Sequence, residues 1–304
     1  MVRISRTVAT ALALLATATI ARAVPTSRFF FSGDGALDLS NAHSGEHLEV
    51  RYRDAEGHYD SAALAQIDHF FRSRSDDKSG PTSLRLIELI DFVQDRYRPR
   101  TLTLVSAYRS PALNQALRGS GHRVAQASLH TEGMAADLQP AGINLRRLWL
   151  QLRALQTGGV GLYQADGFIH LDTGPPRFWE AATSGVEKNL SADNARLFAR
   201  TDFDRYDDLR GAIISLHAVT ALPIRIDRTA RLDDRPVTVA PADAGVAADG
   251  ECYVISEPAD RYAFIVAGSA APPRQRTSIR LQTCAPRIGA TAGEILTNPV
   301  QRLR

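Results

Sequence analysis

The chain has 304 residues, 44% of them hydrophobic and 23% charged, a globular composition well outside the disordered range. Its formal charge of +3 is matched by Arg3, Arg6 and Arg22, which lie in an acid-free stretch of the first 23 residues, so the rest of the chain is about neutral. With no basic helix and no aromatic-basic patch elsewhere, these numbers exclude a nucleic-acid partner.

Residues 1–23 combine that positive start with the short apolar run "TVATALALLATATI" and an "ARA" cleavage signature at Ala21–Ala23. This predicts a secretory signal peptide, and the run is too short and alanine-rich to favour a membrane span. The expected product is exported to the periplasm, free or envelope-associated, with no transmembrane helix after cleavage. Two cysteines, Cys252 and Cys284, lie in the last fifth of the chain. In an exported protein they are expected to form a disulfide, with two buried thiols as the alternative.

"ALDLSNA" and "HLEVRYR" alternate apolar and polar residues and read as two strands joined at "HSGE". "DSAALAQIDHFFRSR" follows with helical spacing and Asp60 or Ser61 as cap. "TSLRLIELIDFVQDRY" is a second amphipathic helix, stopped by Pro99, and "TLTLVSAY" is a β-rich run expected at the centre of a sheet. "SPALNQALRGS" reads as a short helix with Pro111 in its first turn. Beyond the segment "SLHTEGMAADL", "NLRRLWLQLRALQ" is a third clear helix capped by Asn144. "GGVGLYQADGFIHLDTG" then reads as two strands around an "ADG" turn, and "PPRFWE" closes the unit. Helices grouped before and between short strands predict an α+β domain with a small, mainly antiparallel sheet.

From about Thr183 the texture changes. Residues 183–210 are polar and read as a linker, residues 211–290 as a small β-rich accessory domain, and residues 291–304 as a flexible tail. The short runs "AIISLHAV", "PIRIDR", "RPVTVAP", "ECYVISEP", "YAFIVAG" and "SIRLQTC" carry the β signal. A transpeptidase site using His217 and Cys252 is disfavoured, because Glu251 stands directly before the cysteine where that chemistry's pattern has glycine after a histidine.

Three residues draw attention as metal ligands: His130, Asp137 and His170. A catalytic zinc site needs three nitrogen or oxygen donors and an open position for water. His130 precedes a turn that Gly133 can make, Asp137 falls in "AADL", which can run back beside it, and His170 sits in the apolar run "FIHLD". Taken alone, His130 and Asp137 also describe a polar loop, and His170 a satisfied core histidine. Asp172, two residues after His170, faces the same side of a strand and is either a general base or an acceptor that orients a ligand histidine. Arg109 in "SAYRSP" can reach a cleft to meet a substrate carboxylate or a developing oxyanion.

"SAYRSPALNQAL", "SLHTEGMAADL", "GGVGLY" and "FIHLDTG…RFW" together resemble the M15-type zinc peptidases of the bacterial envelope, closest to the DUF882 (YcbK-like) branch of periplasmic murein endopeptidases. Ser128, His130, Gly133, Ala135 and Asp137 meet one family pattern, and Phe168, His170, Asp172 and Gly174 meet another. The likeness spans roughly residues 35 to 180. It implies a hedgehog/D-Ala-D-Ala-peptidase-like catalytic domain over residues 24–182, with Zn2+ held by His130, Asp137 and His170, and Arg109 near the substrate. It also implies hydrolysis of peptide cross-links in peptidoglycan, with peptidoglycan peptides as the binding partner. Better-known relatives place an acid three positions before the last histidine, where this chain has Gly167. Asp172 is then the first choice of general base, ahead of Asp166 and Glu132. The rival functions are a D,D-carboxypeptidase trimming stem peptides and a catalytically inactive wall-binding protein.

Overall fold

The computed structural model describes residues 27–119, 128–181, 197–217, 223–243, 245–256, 261–284 and 293–303. The expected signal peptide and the first half of the expected linker lie outside the described residues. Among those described, no helix is long and apolar enough to cross a membrane.

The first unit is a mixed sheet with helices on its flanks. The opening alternation forms a hairpin, β1 (Ala36–Asn41) and β2 (His47–Arg51), with Leu39 facing Leu48 across it. Helix α1 (Ser61–Phe70) starts where Asp60 accepts from the Ala62 and Ala63 amides, satisfying donors that the first turn leaves unpaired. Helix α2 (Leu84–Tyr97) ends at Arg98, whose left-handed backbone closes the helix before Pro99. Strand β3 (Leu102–Ser106) leads to α3 (Pro111–Gly119). Strand β4 (Ala135–Pro140) then precedes α4 (Leu145–Leu155), where Asn144 accepts from the Arg147 amide. Strands β5 (Gly159–Tyr163) and β6 (Phe168–Asp172) form the second hairpin, and "RFWE", expected only to close the unit, is itself strand β7 (Arg177–Glu180).

The seven strands pair in the order β2-β1-β3-β4-β6-β5-β7, parallel at β1–β3 and β5–β7 and antiparallel elsewhere. The sheet is thus mainly antiparallel, as expected, but mixed and larger than a small one. Its core joins Leu37, Leu39 and Leu138 from the strands to Ile67, Ile87 and Leu148 from the helices.

The second unit is built from short strands. These are β8 (Phe198–Thr201), β9 (Arg205–Tyr206), β10 (Ile213–His217), β11 (Ile224–Asp227), β12 (Thr229–Leu232) and β13 (Arg235–Pro241). After them come β14 (Val246–Asp249), β15 (Cys252–Ile255), β16 (Arg261–Val266), β17 (Thr277–Gln282) and β18 (Glu294–Arg302). They form an eight-stranded sheet, β8-β10-β16-β13-β12-β17-β18-β9, and a three-stranded one, β11-β15-β14. The two sheets share a core that includes Ile214, Ile226, Leu232, Phe264 and Leu281. Cys252 and Cys284 are disulfide-bonded, which removes the thiol a transpeptidase reading would need.

Two boundaries differ from expectation. The supposed linker contains β8 and β9, both paired into the large sheet. The supposed flexible tail contains β18, which runs antiparallel to β17 and places Val300 wholly inside the core. Its pattern "EILTNPVQR" is interrupted by Asn298 and Pro299, which obscures the alternation. Asn298 is buried because it bonds the Thr201 amide at 2.8 Å and hydroxyl at 2.8 Å.

Candidate metal centre

Strands β4 and β6 are antiparallel neighbours, and their register puts Asp137 directly opposite His170. Residues opposite each other on a sheet place their side chains about 5 Å apart on one face. His130 arrives from the tight turn before β4. Gly133 makes that turn: its φ is +65°, and a Cβ there would lie 2.0 Å from the Pro81 carbonyl oxygen. The Ser83 amide donates to the Gly133 carbonyl at 2.8 Å and ties the turn to the start of α2.

All three side chains are buried, and one donor atom from each lies within 4.8 Å of the others. Asp137 Oδ1 is 2.9 Å from His170 Nδ1 and 3.5 Å from His130 Nε2, and the two ring nitrogens are 3.2 Å apart. Behind the ligand atoms, each side chain has its own support. His130 Nδ1 lies 2.7 Å from the Ala107 carbonyl oxygen, which can only accept, so this nitrogen carries the proton. His170 Nε2 lies 3.0 Å from Asp172 Oδ2. Arg109 Nη2 donates to Asp137 Oδ2 at 2.9 Å.

Electrostatics agree with that arrangement. Burial, with Arg109 adding to it, pushes the His130 imidazole down to about 4, keeping it neutral. Burial opposes ionisation of Asp137, but His130 and His170 outweigh it and hold the carboxyl well below its usual range. Burial also opposes charge on His170, and there the bonds to Asp137 and Asp172 win and shift it upward. Burial works against Asp172 as well, but Arg177 and His170 outweigh it and bring the carboxyl down to about 2. With Ala107 accepting, His130 Nε2 keeps a bare lone pair; with Asp172 ionised behind His170 Nε2, it is Nδ1 of His170 that would give up its proton to a cation, converging with a carboxylate oxygen. Two nitrogens and one oxygen meeting there fit a divalent cation of the zinc type.

None of the three carboxylates weighed as general base stands open over this triangle. Asp172 is wholly buried behind His170; Arg177 and the Gly159 and Gly174 amides, at 2.8, 3.1 and 2.8 Å, occupy its remaining acceptor positions. Asp166 is exposed on the turn between β5 and β6. Glu132 points to the second unit, where its Oε2 lies 2.5 Å from His217 Nδ1. Arg109, expected near the substrate, lies beside the cluster, donating to Asp137 Oδ2 and to Ser106 Oγ at 3.2 Å.

Other contributors carried no local signal. The Ala107 carbonyl is an unmarked backbone atom. Trp179, on β7, sets its indole 5.1 Å from the His170 ring at a tilt of 49° and lies across from Gly161, where a Cβ would strike it. Arg177 could have been suspected as the cation nearest in sequence to Asp172.

The first unit is thus a seven-stranded mixed sheet that carries a buried His-Asp-His cluster at its centre, a candidate site for a metal. The family model described as "Peptidoglycan L,D-endopeptidase MepK" matches residues 32–179. The MepK of Escherichia coli K12, named a peptidoglycan L,D-endopeptidase, is 37% identical over 147 residues, covering 47% of this chain and 79% of that protein. The Haemophilus influenzae protein named as a probable peptidoglycan L,D-endopeptidase MepK is 30% identical over 146 residues, 47% of this chain and 78% of its own length. No solved structure gives a significant match. The chain belongs to this M15-type murein endopeptidase family. The matched residues end within β7, so the second β unit lies beyond them.

Proposed function

We propose that the protein is an exported, zinc-dependent peptidoglycan L,D-endopeptidase, with residues 24–182 as its catalytic unit and the signal peptide removed on export. The observation that carries this is the convergence of His130 Nε2, Asp137 Oδ1 and His170 Nδ1 on one point, each backed by a partner that turns its lone pair inward. His130, Asp137 and His170 would hold the metal. When bound, zinc polarises a peptide carbonyl and makes a water nucleophilic near neutral pH.

The chain's own residues prepare that chemistry. The Ala107 carbonyl fixes the His130 tautomer, and Asp172 fixes that of His170 while raising its basicity. Arg109 occupies the second oxygen of Asp137, which leaves Oδ1 for the metal. Trp179 packs beside the His170 ring and helps hold its orientation. Asp172 therefore acts as a positioning residue in this reading, and the role of base passes away from it. The relatives' names favour an endopeptidase over the D,D-carboxypeptidase and wall-binding alternatives, and "L,D" specifies a bond between centres of opposite configuration.

The test is digestion of purified cross-linked muropeptides by the mature protein, chromatographed with and without chelator beside a His170→Ala variant. Loss of cross-linked species, abolished by both chelator and variant, is expected. Cross-links left intact by folded, zinc-loaded protein would overturn the reading.

A further inference from the structure

The second β unit presents one face to the metal centre. On β8, Phe198 and Arg200 project to the same side, and the register of β8 with β10 sets His217 opposite Phe198. The two rings stack with centroids 5.1 Å apart and planes 17° from parallel. All three side chains touch the chain segments that carry the candidate ligands. His217 Nδ1 meets Glu132 Oε2, two residues after His130, at 2.5 Å. Phe198 packs in a small buried cluster with Leu129 and Met134, which flank His130 in the turn, and with Ala135, two residues before Asp137. Arg200 Nε donates at 2.7 Å to the carbonyl of Thr173, which directly follows Asp172. The two gripped segments are also tied to each other, because the Thr173 amide donates to the Met134 carbonyl at 3.0 Å.

These contacts are unlike an incidental domain junction. Phe198 is buried although β8 is the edge strand of the large sheet, and His217, on the neighbouring β10, is the partner of the nearly enclosed Glu132 carboxylate. The turn holding His130 has no sheet pairing of its own, since β4 begins only at Ala135. Within the first unit it is held by the Gly133 tie to α2, by the Arg109 amide donating to the His130 carbonyl at 3.1 Å and by the bond of His130 to the Ala107 carbonyl, and the second unit closes on its other side.

We propose that the face formed by Phe198, Arg200 and His217 is a positioning clamp that fixes the segments bearing His130, Asp137 and His170 in the geometry a metal requires. The β unit is then a working part of the catalytic centre rather than a separate accessory. This rests on the metal-centre reading for its consequence, but the restraint itself is a property of the chain. None of the three residues meets substrate or metal; each acts through a neighbouring segment.

The experiment uses the full mature chain and four variants: His217→Ala, Arg200→Ala, His217→Asn and Arg205→Ala. Asparagine can return a donor where Nδ1 stood. Arg205 donates to the Ser27 carbonyl at 2.7 Å and the Phe29 carbonyl at 3.2 Å, both outside the two segments that the clamp grips. Two quantities are read: zinc affinity by competition with a chromogenic chelator, and amide hydrogen exchange across residues 128–134 and 170–174 of the metal-free protein. Outer partners of metal ligands typically carry about 10- to 100-fold in affinity. His217→Ala and Arg200→Ala are expected to lose zinc affinity on that scale, with faster exchange in both segments. His217→Asn should recover most of the loss, and Arg205→Ala should match the wild type in both readouts. Wild-type affinity and exchange in His217→Ala and Arg200→Ala would overturn the clamp and leave the metal centre standing, as would an equal loss in Arg205→Ala. If the wild-type protein binds no zinc, the metal-centre reading fails, and exchange alone decides the clamp: faster exchange confined to the two segments supports it, and unchanged exchange overturns it.

Discussion

Replacing Asp172 by asparagine separates two roles that one carboxylate can play beside a ligand histidine. The side chain is wholly buried and accepts from His170 Nε2 at 3.0 Å, Arg177 Nη2 at 2.8 Å and the Gly159 and Gly174 amides at 3.1 and 2.8 Å. Gly159 permits this approach, since a Cβ there would lie 2.1 Å from Asp172 Oδ2. Asparagine keeps the shape but has one acceptor oxygen, so an N–H must face His170, Arg177 or an amide. Charge-assisted bonds are worth roughly 1.5–3 kcal/mol each, and removing one side of a buried pair costs roughly 3–5 kcal/mol. The Arg177 side chain is 36% exposed and can turn to water, which lowers the penalty. The expected loss of folding stability is therefore about 3 kcal/mol, read by urea denaturation. The functional loss should appear as zinc affinity weakened about 10- to 100-fold, because His170 no longer has an acceptor selecting its tautomer. At saturating zinc, kcat on cross-linked muropeptides should recover to within about tenfold of wild type. A general base behaves in the opposite way, with unchanged zinc affinity and kcat down by about 10²–10⁴ at any zinc concentration. That second pattern would refute the positioning role.

Other expectations concern stability. Burial pushes the Asp91 carboxyl up to about 7, with Tyr52 and the Gly35 amide opposing the shift and Asp95 adding to it. A carboxyl raised on folding binds its proton more tightly in the native state, so its contribution is most favourable below about pH 4, the ordinary carboxyl value. That contribution is lost as pH rises from about 4 to 7, by roughly 1.4 kcal/mol per pH step. Asp91→Asn should therefore flatten the pH dependence of urea stability across that window and raise stability at about pH 8, above both values. A profile as steep as the wild type's would count against it. Cys252 and Cys284 are separated by 32 residues, and losing a cross-link over such a loop costs about 3–4 kcal/mol by the chain-entropy argument. Cys284→Ser should destabilise the β unit by that amount in urea denaturation, and an unchanged midpoint under non-reducing conditions would contradict it.

The candidate ligands were readable in the sequence because local rules govern the elements that carry them. Alternation in "FIHLD" and "AADL" marks strands and the glycine in "HTEGM" marks a turn that sets His130 near Asp137, while His170 joins them through the pairing of β6 with β4 across α4 and β5. The helices were legible for the same reason: Asp60 and Asn144 cap them through bonds that span only two or three residues.

What the side chains do once assembled depended on partners far along the chain. Asp172 and Arg109 were visible as candidates, but whether each faces substrate or supports a ligand is decided by where Arg177, Gly159 and Asp137 stand around them. Glu132 meets His217 across 85 residues, and Arg200 reaches Thr173 across 27. Strand β18 gains its place from β17 and β9 on either side of it, because its own alternation is broken by a buried asparagine and a proline. Local propensity and periodicity report what a segment can become by itself. Which donor ends beside which acceptor is settled by the packing of two cores against each other, where burial makes every unpaired polar group costly and so selects the pairs that form.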